Sequence, residues 1–481
     1  MPSRLSRISY TESVVELNRQ IHSVSKQATS LYQQAASYFA GVDKYKTLVS
    51  ELETRLEQKQ RQLLTVSAID KARLIESISV IQQRLDNIKS EFESKRLLRL
   101  DSAISVCSKI LEMTESHNFE GTQLKSAKFL GTILLLSPGR GKKLSELHQR
   151  FKPAYKAVLS IRLLDKLIKD GNLRHSYTLK HYDVNTRYEK QSSFSSPYSQ
   201  SVVLPIMLTA LFQDIGFQHP DVIAIMKGDG SLDEFRPLQP EERNLMLKLG
   251  YKYAIDYLQN GLGLQEYTGN SKLEKERFTV LEKSRVKFQL ELLKDALSSK
   301  IGIGDIIKIP QVYTSVVLST KRNFIKKDLP KAAKIISQLA LNSSVNLKAA
   351  EAFISIVGHF PQGYGVTLIP KNLQGVELNN YEYGIVTRLN PSNPDEPICK
   401  IVTRNLTYIT SGATTSIKKD CNLHFNVARN KLSKVDAARL RNIMQTLSYS
   451  FKADDVDNLI PSLWEPYEYF SDVKNQSLWK K

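Results

Sequence analysis

The stretch "LTALFQDIGFQHPD", residues 208–221, decides how the middle of the chain is interpreted. An apolar run leads directly into Asp214, a glycine follows, and a Pro-Asp pair begins the next segment. The apolar run predicts a buried helix that ends near the aspartate. An acid in this place is either the remnant of a metal site or a helix-terminal carboxylate that accepts hydrogen bonds.

The composition is that of a basic protein. The 481 residues include 68 Lys and Arg against 49 Asp and Glu, which gives a net charge of +19. This charge indicates an anionic partner, such as a nucleotide, a nucleic acid or a membrane surface, or else a solvated basic surface. The sequence shows no membrane span and no secretory leader, and its three cysteines are far apart. We therefore expect a cytoplasmic protein of roughly two to four domains.

The N-terminal part of the chain carries three apolar stripes with helical spacing. They cover residues 14–38, 45–66 and 74–92, with an interruption at Gly41 and a slip of phase between the second and third stripes that predicts a stutter or a turn. The stripes fit either an antiparallel bundle within one chain or long helices paired with a second chain as a coiled coil. We favour helical hairpins with a tendency to dimerise, which are typical of a partner surface.

Changes of pattern divide the remaining chain further, and the expected fold class is mainly α. The expected domains are a helical bundle or coiled coil (1–119), a small intermediate region with the helix-then-strand outline of a winged helix (120–195), an all-helical domain (202–358), and a small antiparallel β segment with a C-terminal helix and tail (359–481).

The middle of the chain resembles the HD-GYP family, the HD-domain phosphohydrolases of bacteria that hydrolyse cyclic-di-GMP. The opening stretch is similar to that family's His-Asp core, and residues 227–258 are similar to the helices that follow it. Residues 306–336, "IIKIPQVYTSVVLSTKRNFIKKDLPKAAKII", are similar to the family's "ADVYDALTSDRPY" segment. The resemblance covers residues 202–401 and implies an HD-like helical domain with a role in bacterial signalling.

The resemblance also implies where metal ligands would stand, and most of them are replaced. Gln213 stands at the motif's histidine, Asp214 keeps the aspartate, and Gln311 replaces a further ligand aspartate. A carboxamide replaces a metal-binding lone pair poorly, and a lone carboxylate cannot hold the multinuclear centre that activates water. We therefore expect a pseudo-phosphodiesterase without metal or other cofactor.

Two further departures lie close to these positions. Phe217 stands where the family has a lysine suited to phosphate, and Leu249 or Gly250 stands where another histidine is expected. Five basic residues beside the vestigial pocket, in the family's layout, are candidates for holding phosphates without metal. They are Lys308, Lys321, Arg322, Lys326 and Lys327.

Three functions remain open. The first is a non-catalytic HD-GYP-like signalling or scaffold protein that acts through protein contacts of its N-terminal helices and can sense cyclic-di-GMP or another nucleotide without hydrolysing it. The second is a divergent metal-dependent cyclic-di-GMP phosphodiesterase, and the third is a basic nucleic-acid-binding protein. We favour the first, because it requires only that the HD-like fold is retained, that the metal ligands are replaced, and that the long N-terminal helices contact a partner.

Overall fold

The computed structural model describes residues 7–23, 29–65, 67–183, 187–188, 196–298, 302–372, 374–447 and 459–479. These residues are mainly helical with a small antiparallel sheet near the C-terminus, so the expected fold class is confirmed. None of their helices is long and apolar enough to cross a membrane. The helices are α1 (Ser9–Ile21), α2 (Leu31–Leu63), α3 (Ala68–Thr114), α4 (Phe119–Leu135), α5 (Lys142–Lys169), α6 (Ser176–His181), α7 (Leu204–Phe212), α8 (Pro220–Lys227), α9 (Pro240–Asp256), α10 (Lys272–Leu297), α11 (Asp305–Val317), α12 (Lys331–Leu341), α13 (Leu347–Val357), α14 (Asn426–Leu432), α15 (Ala437–Leu447) and α16 (Tyr467–Ser471). The strands are β1 (Gly365–Leu368), β2 (Glu382–Val386), β3 (Ile398–Ile401), β4 (Thr403–Arg404), β5 (Thr407–Tyr408) and β6 (Thr414–Ser416).

The chain divides into two compact units, each of which is discontinuous in sequence. The first unit comprises Met1–Ile21, Cys107–Leu211 and Glu291–Lys481, and the second comprises His22–Val106 and Phe212–Leu290. Both units combine segments from different regions of the four-part domain plan, whose boundaries stay a prediction.

The first unit is built around α5. This helix is buried along most of its length, and its buried residues include the charged Lys156, Arg162 and Asp165. It packs against α11, α13, α4 and α1, and α12 packs against α11 and α13. The hydrophobic core of this unit therefore lies between α5 and the helices of the later part of the chain.

A buried group of four charged side chains lies in the same unit. Arg187 forms ion pairs of 2.7 Å with Glu115 and 2.8 Å with Asp165, and Arg162 lies 2.5 Å from Glu115. Burial alone would raise the pKa of Glu115, but Arg187 and Arg162 outweigh burial and lower the pKa to about 2. Two positive and two negative charges compensate each other, which makes their joint burial tolerable.

The sheet of the first unit has the strand order β1-β2-β3-β6, and every neighbouring pair is antiparallel. Strands β1 and β2 are fully buried, whereas β6 is exposed at the edge. The C-terminal tail covers this region: the ring of Trp464 stacks on Tyr383 at 4.6 Å, and Trp479 Nε1 donates to the carbonyl of Thr387 at 3.1 Å. The tail is thus part of the core of the first unit.

Helices α2 and α3 form an antiparallel hairpin in the second unit, which we call the α2–α3 hairpin. Tyr45 stacks on Phe92 with ring centroids 3.8 Å apart, and Lys89 pairs with Glu53 at 2.7 Å. Of a stutter or a turn, the structure shows the second: α2 ends at Leu63 and α3 begins at Ala68, slightly before the predicted place. Of the two arrangements that the stripes allow, the structure shows the pairing of helices within one chain.

The expected interruption at Gly41 is wrong. Helix α2 passes through this residue without a break; α1 ends at Ile21 and α2 begins at Leu31. A glycine inside a helix costs about 1 kcal/mol, and burial of the neighbouring Phe39 and Val42 offsets this cost. Three members of the predicted stripes, Val24, Ala28 and Val66, lie outside the described residues.

The helix-then-strand outline of a winged helix is also wrong for the described part of residues 120–195. Residues 120–183 form helices and no strand, and the expected strand after α5 is the short helix α6. Helix α6 contains a single β-branched residue, Thr178, so it lacks the composition that stabilises a strand. Residues 184–186 and 189–195 lie outside the described residues.

Candidate functional site

Gln213 and Asp214 follow directly after α7, and a single 3₁₀ turn, Ile215–Gln218, separates them from α8. Both side chains are half-buried. The nearby α2 contributes Tyr32, whose pKa is raised first by burial and then by the negative charge of Asp214. The ring of Tyr32 stacks on His22 at 4.5 Å. The negative charge of Asp214 therefore acts on a buried phenol of α2.

The backbone beside Asp214 packs against α9 without room for side chains. A Cβ atom added to Gly216 would lie 1.9 Å from the carbonyl oxygen of Gly250. A Cβ atom added to Gly250 would lie 2.3 Å from Cε1 of Phe217. The aromatic ring thus fills the space that a side chain at position 250 would need, where the HD-GYP resemblance implies a lysine at 217 and a histidine near 250.

His219 anchors the same segment to the hairpin. Its ring stacks on Tyr253 at 3.4 Å and meets Phe39 edge-on at 5.3 Å. Its Nδ1 accepts a hydrogen bond from the backbone N–H of Asp221 at 3.2 Å, which caps α8. Burial lowers the pKa of His219. Its ring serves as a cap of α8 and as a packing surface.

The third vestigial position, Gln311, belongs to the first unit. It is half-buried in α11, and Thr314 one turn later is buried. Asp305 at the start of this helix accepts a hydrogen bond from the backbone N–H of Asn346 at 2.7 Å, and burial raises its pKa. The Asp305 carboxylate thus stabilises the backbone at Asn346, the residue that precedes α13.

A different set of side chains has the geometry of a metal site. Among the described residues, the ligand atoms of Glu377, Asp420 and Cys421 lie within 4.8 Å of one another. Lys431 Nζ already lies 2.7 Å from Glu377 and 3.3 Å from Asp420. Burial raises the pKa of the Cys421 thiol to about 11, so the thiolate that binds a metal ion is disfavoured. The group therefore acts as a lysine-centred ion-pair cluster.

The positive charge of the chain is unevenly distributed between the units. The sequence of the first unit contains 44 Lys and Arg against 27 Asp and Glu, and that of the second contains 24 against 22. Nearly all of the net charge of +19 thus belongs to the first unit. An anionic partner is attracted to the first unit, whereas the second unit is close to neutral.

All five predicted anion-binding residues belong to the first unit, but they have different surroundings. Lys308 Nζ donates to the carbonyl of Ser344 at 2.7 Å, and Lys326 pairs with Glu465 at 2.7 Å. Lys321, Arg322 and Lys327 are exposed. The structure therefore shows that Lys308 and Lys326 make contacts within the protein.

Lys327 belongs to a basic group that the sequence does not reveal. Three cations act on the imidazole of His424: Arg429, Lys334 and Lys327. The spacing of Lys327 and Lys334 in the sequence hints at a common surface, but nothing in the sequence connects Arg429 or His424 to them. The sequence reasoning therefore missed three members of this group.

Comparison of the chain with family models, with curated proteins and with solved structures found no match.

Proposed function

We propose that this chain is a non-catalytic protein of the HD-GYP-like type, which acts as a scaffold or sensor in signalling through protein–protein contacts. The observation that carries the proposal is the packing beside Asp214. The ring of Phe217 lies against Gly250 so closely that position 250 has no room for a side chain. A multinuclear metal centre needs several imidazoles and carboxylates around one space, and here a phenylalanine ring occupies the position beside residue 250, where the resemblance implies a histidine.

The hydrolysis of cyclic-di-GMP distinguishes this proposal from a divergent phosphodiesterase. We expect no turnover by the purified full chain in the presence of Mn²⁺ or Fe²⁺, and less than one bound transition metal per chain by elemental analysis. Turnover that a chelator abolishes and that Asp214→Asn reduces would overturn the proposal. The variant Asp221→Asn is the matched control, because Asp221 is an exposed acid of the same segment.

The α2–α3 hairpin offers the surface for protein contacts. Its seam from Tyr45 to Leu63 is roughly 28 Å long. Leu52 and Leu85 are the buried members of the seam, and apolar side chains outside it are exposed: Leu64 to 86%, Ile75 to 53% and Val80 to 61%. A two-helix hairpin covers only one stripe of each helix, so these apolar groups remain available to a partner.

The charge of the hairpin favours a second copy of this chain as that partner. Residues 43–98 contain eleven basic and nine acidic residues, so two copies do not repel each other strongly. Neither a strongly acidic nor a strongly basic partner gains from such a balanced surface. Two hairpins that pack side by side form a four-helix arrangement, in which apolar side chains beside the seam become buried.

Sedimentation velocity of the full chain between about 1 and 50 μM tests this assignment. We expect a dimer for the natural sequence and a shift of at least tenfold towards monomer for the double variant Ile75→Glu/Val80→Glu. The control is Leu341→Glu, because Leu341 is 79% exposed but belongs to α12 of the first unit. A monomer over the whole concentration range, or equal effects of the two variants, would exclude the hairpin as the dimer interface.

The excess charge of the first unit supports an anionic partner as a second element of the function. The phosphate groups of a nucleotide that is bound without being hydrolysed would compensate this positive charge, and so would those of a nucleic acid. The two differ in their dependence on salt, because a nucleic-acid contact that neutralises many phosphates loses affinity steeply between low and moderate salt. The described part of residues 120–183 is helical without a strand, which removes the winged-helix outline that favoured nucleic acid.

A further inference from the structure

A cavity of about 460 Å³ lies in the first unit beside strands β4 and β5. This volume falls within the range of about 300–1,000 Å³ that is usual for sites that hold small molecules. Four parts of the chain form its walls: the β4–β5 hairpin, the end of α15, helix α16, and the 3₁₀ turn Val473–Gln476 that follows α16. All of them belong to the first unit, so the cavity is complete within one compact body.

Hydrogen bonds join the walls of this cavity. The Tyr408 hydroxyl donates to the carbonyl of Leu447 at 2.8 Å, which joins β5 to α15. The Tyr469 hydroxyl donates to the carbonyl of Ile409 at 2.7 Å, which joins α16 to the residue after β5. The centroids of the two tyrosine rings lie 5.6 Å apart. The protein itself therefore holds the walls in place, which lowers the entropy cost of binding a ligand between them.

The lining of the cavity is rich in hydrogen-bond acceptors. The Thr446 hydroxyl donates its proton to the carbonyl of Asn442 at 2.8 Å, as the two tyrosine hydroxyls do to other carbonyls. Each of these oxygens keeps a lone pair with which it can accept a hydrogen bond. The carboxylates of Glu468 and Asp472 also line the cavity, and at pH 7 they accept hydrogen bonds only. A ligand that matches this lining therefore donates hydrogen bonds.

The charge of the lining is negative on balance. It contains the acids Glu468 and Asp472 and one basic residue, Lys474. Lys474 Nζ lies 3.1 Å from Asp472, and the two side chains are 71% and 46% exposed, so water screens this pair and a ligand can replace the lysine. Among the described residues, none forms an ion pair with the Glu468 carboxylate. In a unit with a large excess of Lys and Arg, this cavity thus has the opposite charge.

We propose that this cavity binds a small aliphatic amine of the polyamine class, in which methylene chains join two or more ammonium groups. An ammonium group has three N–H donors and no acceptor, so it matches the carboxylates and the hydroxyl oxygens of the lining. The methylene groups match the rings of Tyr408 and Tyr469 and the side chains of Leu406 and Leu447, which also line the cavity. The inference goes beyond the scaffold role and the anionic partner, because it concerns a cationic ligand at a separate place.

Isothermal titration calorimetry of the full chain with putrescine tests the proposal, and butanediol is the uncharged ligand of similar length. Salt at about 150 mM screens the positive field of the first unit beyond about 8 Å. The site variant is Glu468→Gln, and the control is Glu351→Gln, which removes the same charge from an exposed position of the same unit. We expect the site variant to weaken the binding of putrescine about tenfold, because it removes a hydrogen bond between charged groups, and the control to weaken it by less than about twofold.

A second pair of variants changes the affinity in the opposite direction. Lys474→Gln removes the ammonium group that competes for Asp472, so we expect it to strengthen the binding of putrescine about twofold or more. Lys348→Gln, the control, removes the same charge from an exposed position of α13 and should leave the affinity unchanged.

Three results would overturn the proposal. If Glu468→Gln and Glu351→Gln weaken binding equally, the amine responds to the general charge of the first unit and not to this cavity. If butanediol binds as tightly as putrescine, the ammonium groups do not select the ligand. If putrescine does not bind the natural sequence, the amine site does not exist. Each of these results leaves the scaffold role intact, because sedimentation of the hairpin variants measures that role independently.

Discussion

Replacing Gly216 by alanine tests whether the space beside Asp214 is as full as the structure indicates. The new Cβ atom would lie 1.9 Å from the carbonyl oxygen and 2.7 Å from the carbonyl carbon of Gly250, whereas ordinary contacts begin near 3.4 Å. Both partners are backbone atoms, so no side-chain rotation relieves the overlap, and the two segments must separate by more than 1 Å. Overpacking costs about 1–3 kcal/mol, and we expect the upper end of this range.

Thermal unfolding followed by circular dichroism measures this effect. A loss of about 3 kcal/mol corresponds to a decrease in Tm of roughly 6–12 °C for a unit of this size. Gly41→Ala is the matched control: Gly41 lies in the same unit, inside α2, with no atom within 4 Å of the added Cβ. We expect this variant to be more stable by about 1 kcal/mol, because alanine is the better helix former. If Gly216→Ala unfolds at the temperature of the natural sequence, the segment is not tightly packed and the argument for a filled site fails.

Two further predictions concern buried charge in the first unit. Burial lowers the pKa of His148 to about 4 from its usual value of about 6.5. The unfolded chain therefore binds the proton more tightly, and stability that is complete above pH 6.5 is lost as the pH falls towards 4, by about 2 kcal/mol at pH 5. Urea unfolding at pH 7 and pH 5 should show this loss diminished in His148→Gln and unchanged in His117→Gln, which replaces an exposed histidine. Arg187→Met should cost about 3–5 kcal/mol, because it leaves Glu115 buried with one arginine fewer. Arg404→Met, at an exposed position, should cost less than about 0.5 kcal/mol, and equal losses would show that the buried network does not stabilise the fold.

The sequence predicts the elements whose stabilising contacts are local. The apolar spacing in α2 and α3 is a property of each helix, so the stripes and the turn between them are visible without a structure. The β segment is likewise marked by short alternating runs. The interruption at Gly41 is wrong because the deciding contacts are not local: Phe39 meets Tyr257 at 5.6 Å across more than two hundred residues of sequence. Such contacts outweigh the helix propensity of one glycine.

The candidate sites show the same limit. The replacement of ligands at Gln213 and Gln311 is readable residue by residue, once the resemblance supplies an alignment. The contact of Phe217 with Gly250 requires that two segments meet, and no sequence pattern indicates it. The basic group around His424 joins three elements, and its members Lys334 and Arg429 are ordinary surface residues in the sequence. Spacing along one helix predicts neighbours within a few residues, whereas this surface depends on the packing of the whole unit.

The uneven charge gives the two proposed interactions, dimerisation and the binding of an anionic partner, different physical signatures. Dimerisation through the α2–α3 hairpin depends on apolar groups in a nearly neutral region, so salt changes it little. Binding of an anionic partner by the first unit depends on its excess of cations, and the field of exposed charges is screened beyond about 8 Å at physiological ionic strength. Raising the salt concentration therefore weakens the second interaction and leaves the first nearly unchanged. If both weakened together, the hairpin contact would itself be electrostatic, and a second copy with the same balanced charge would no longer explain it.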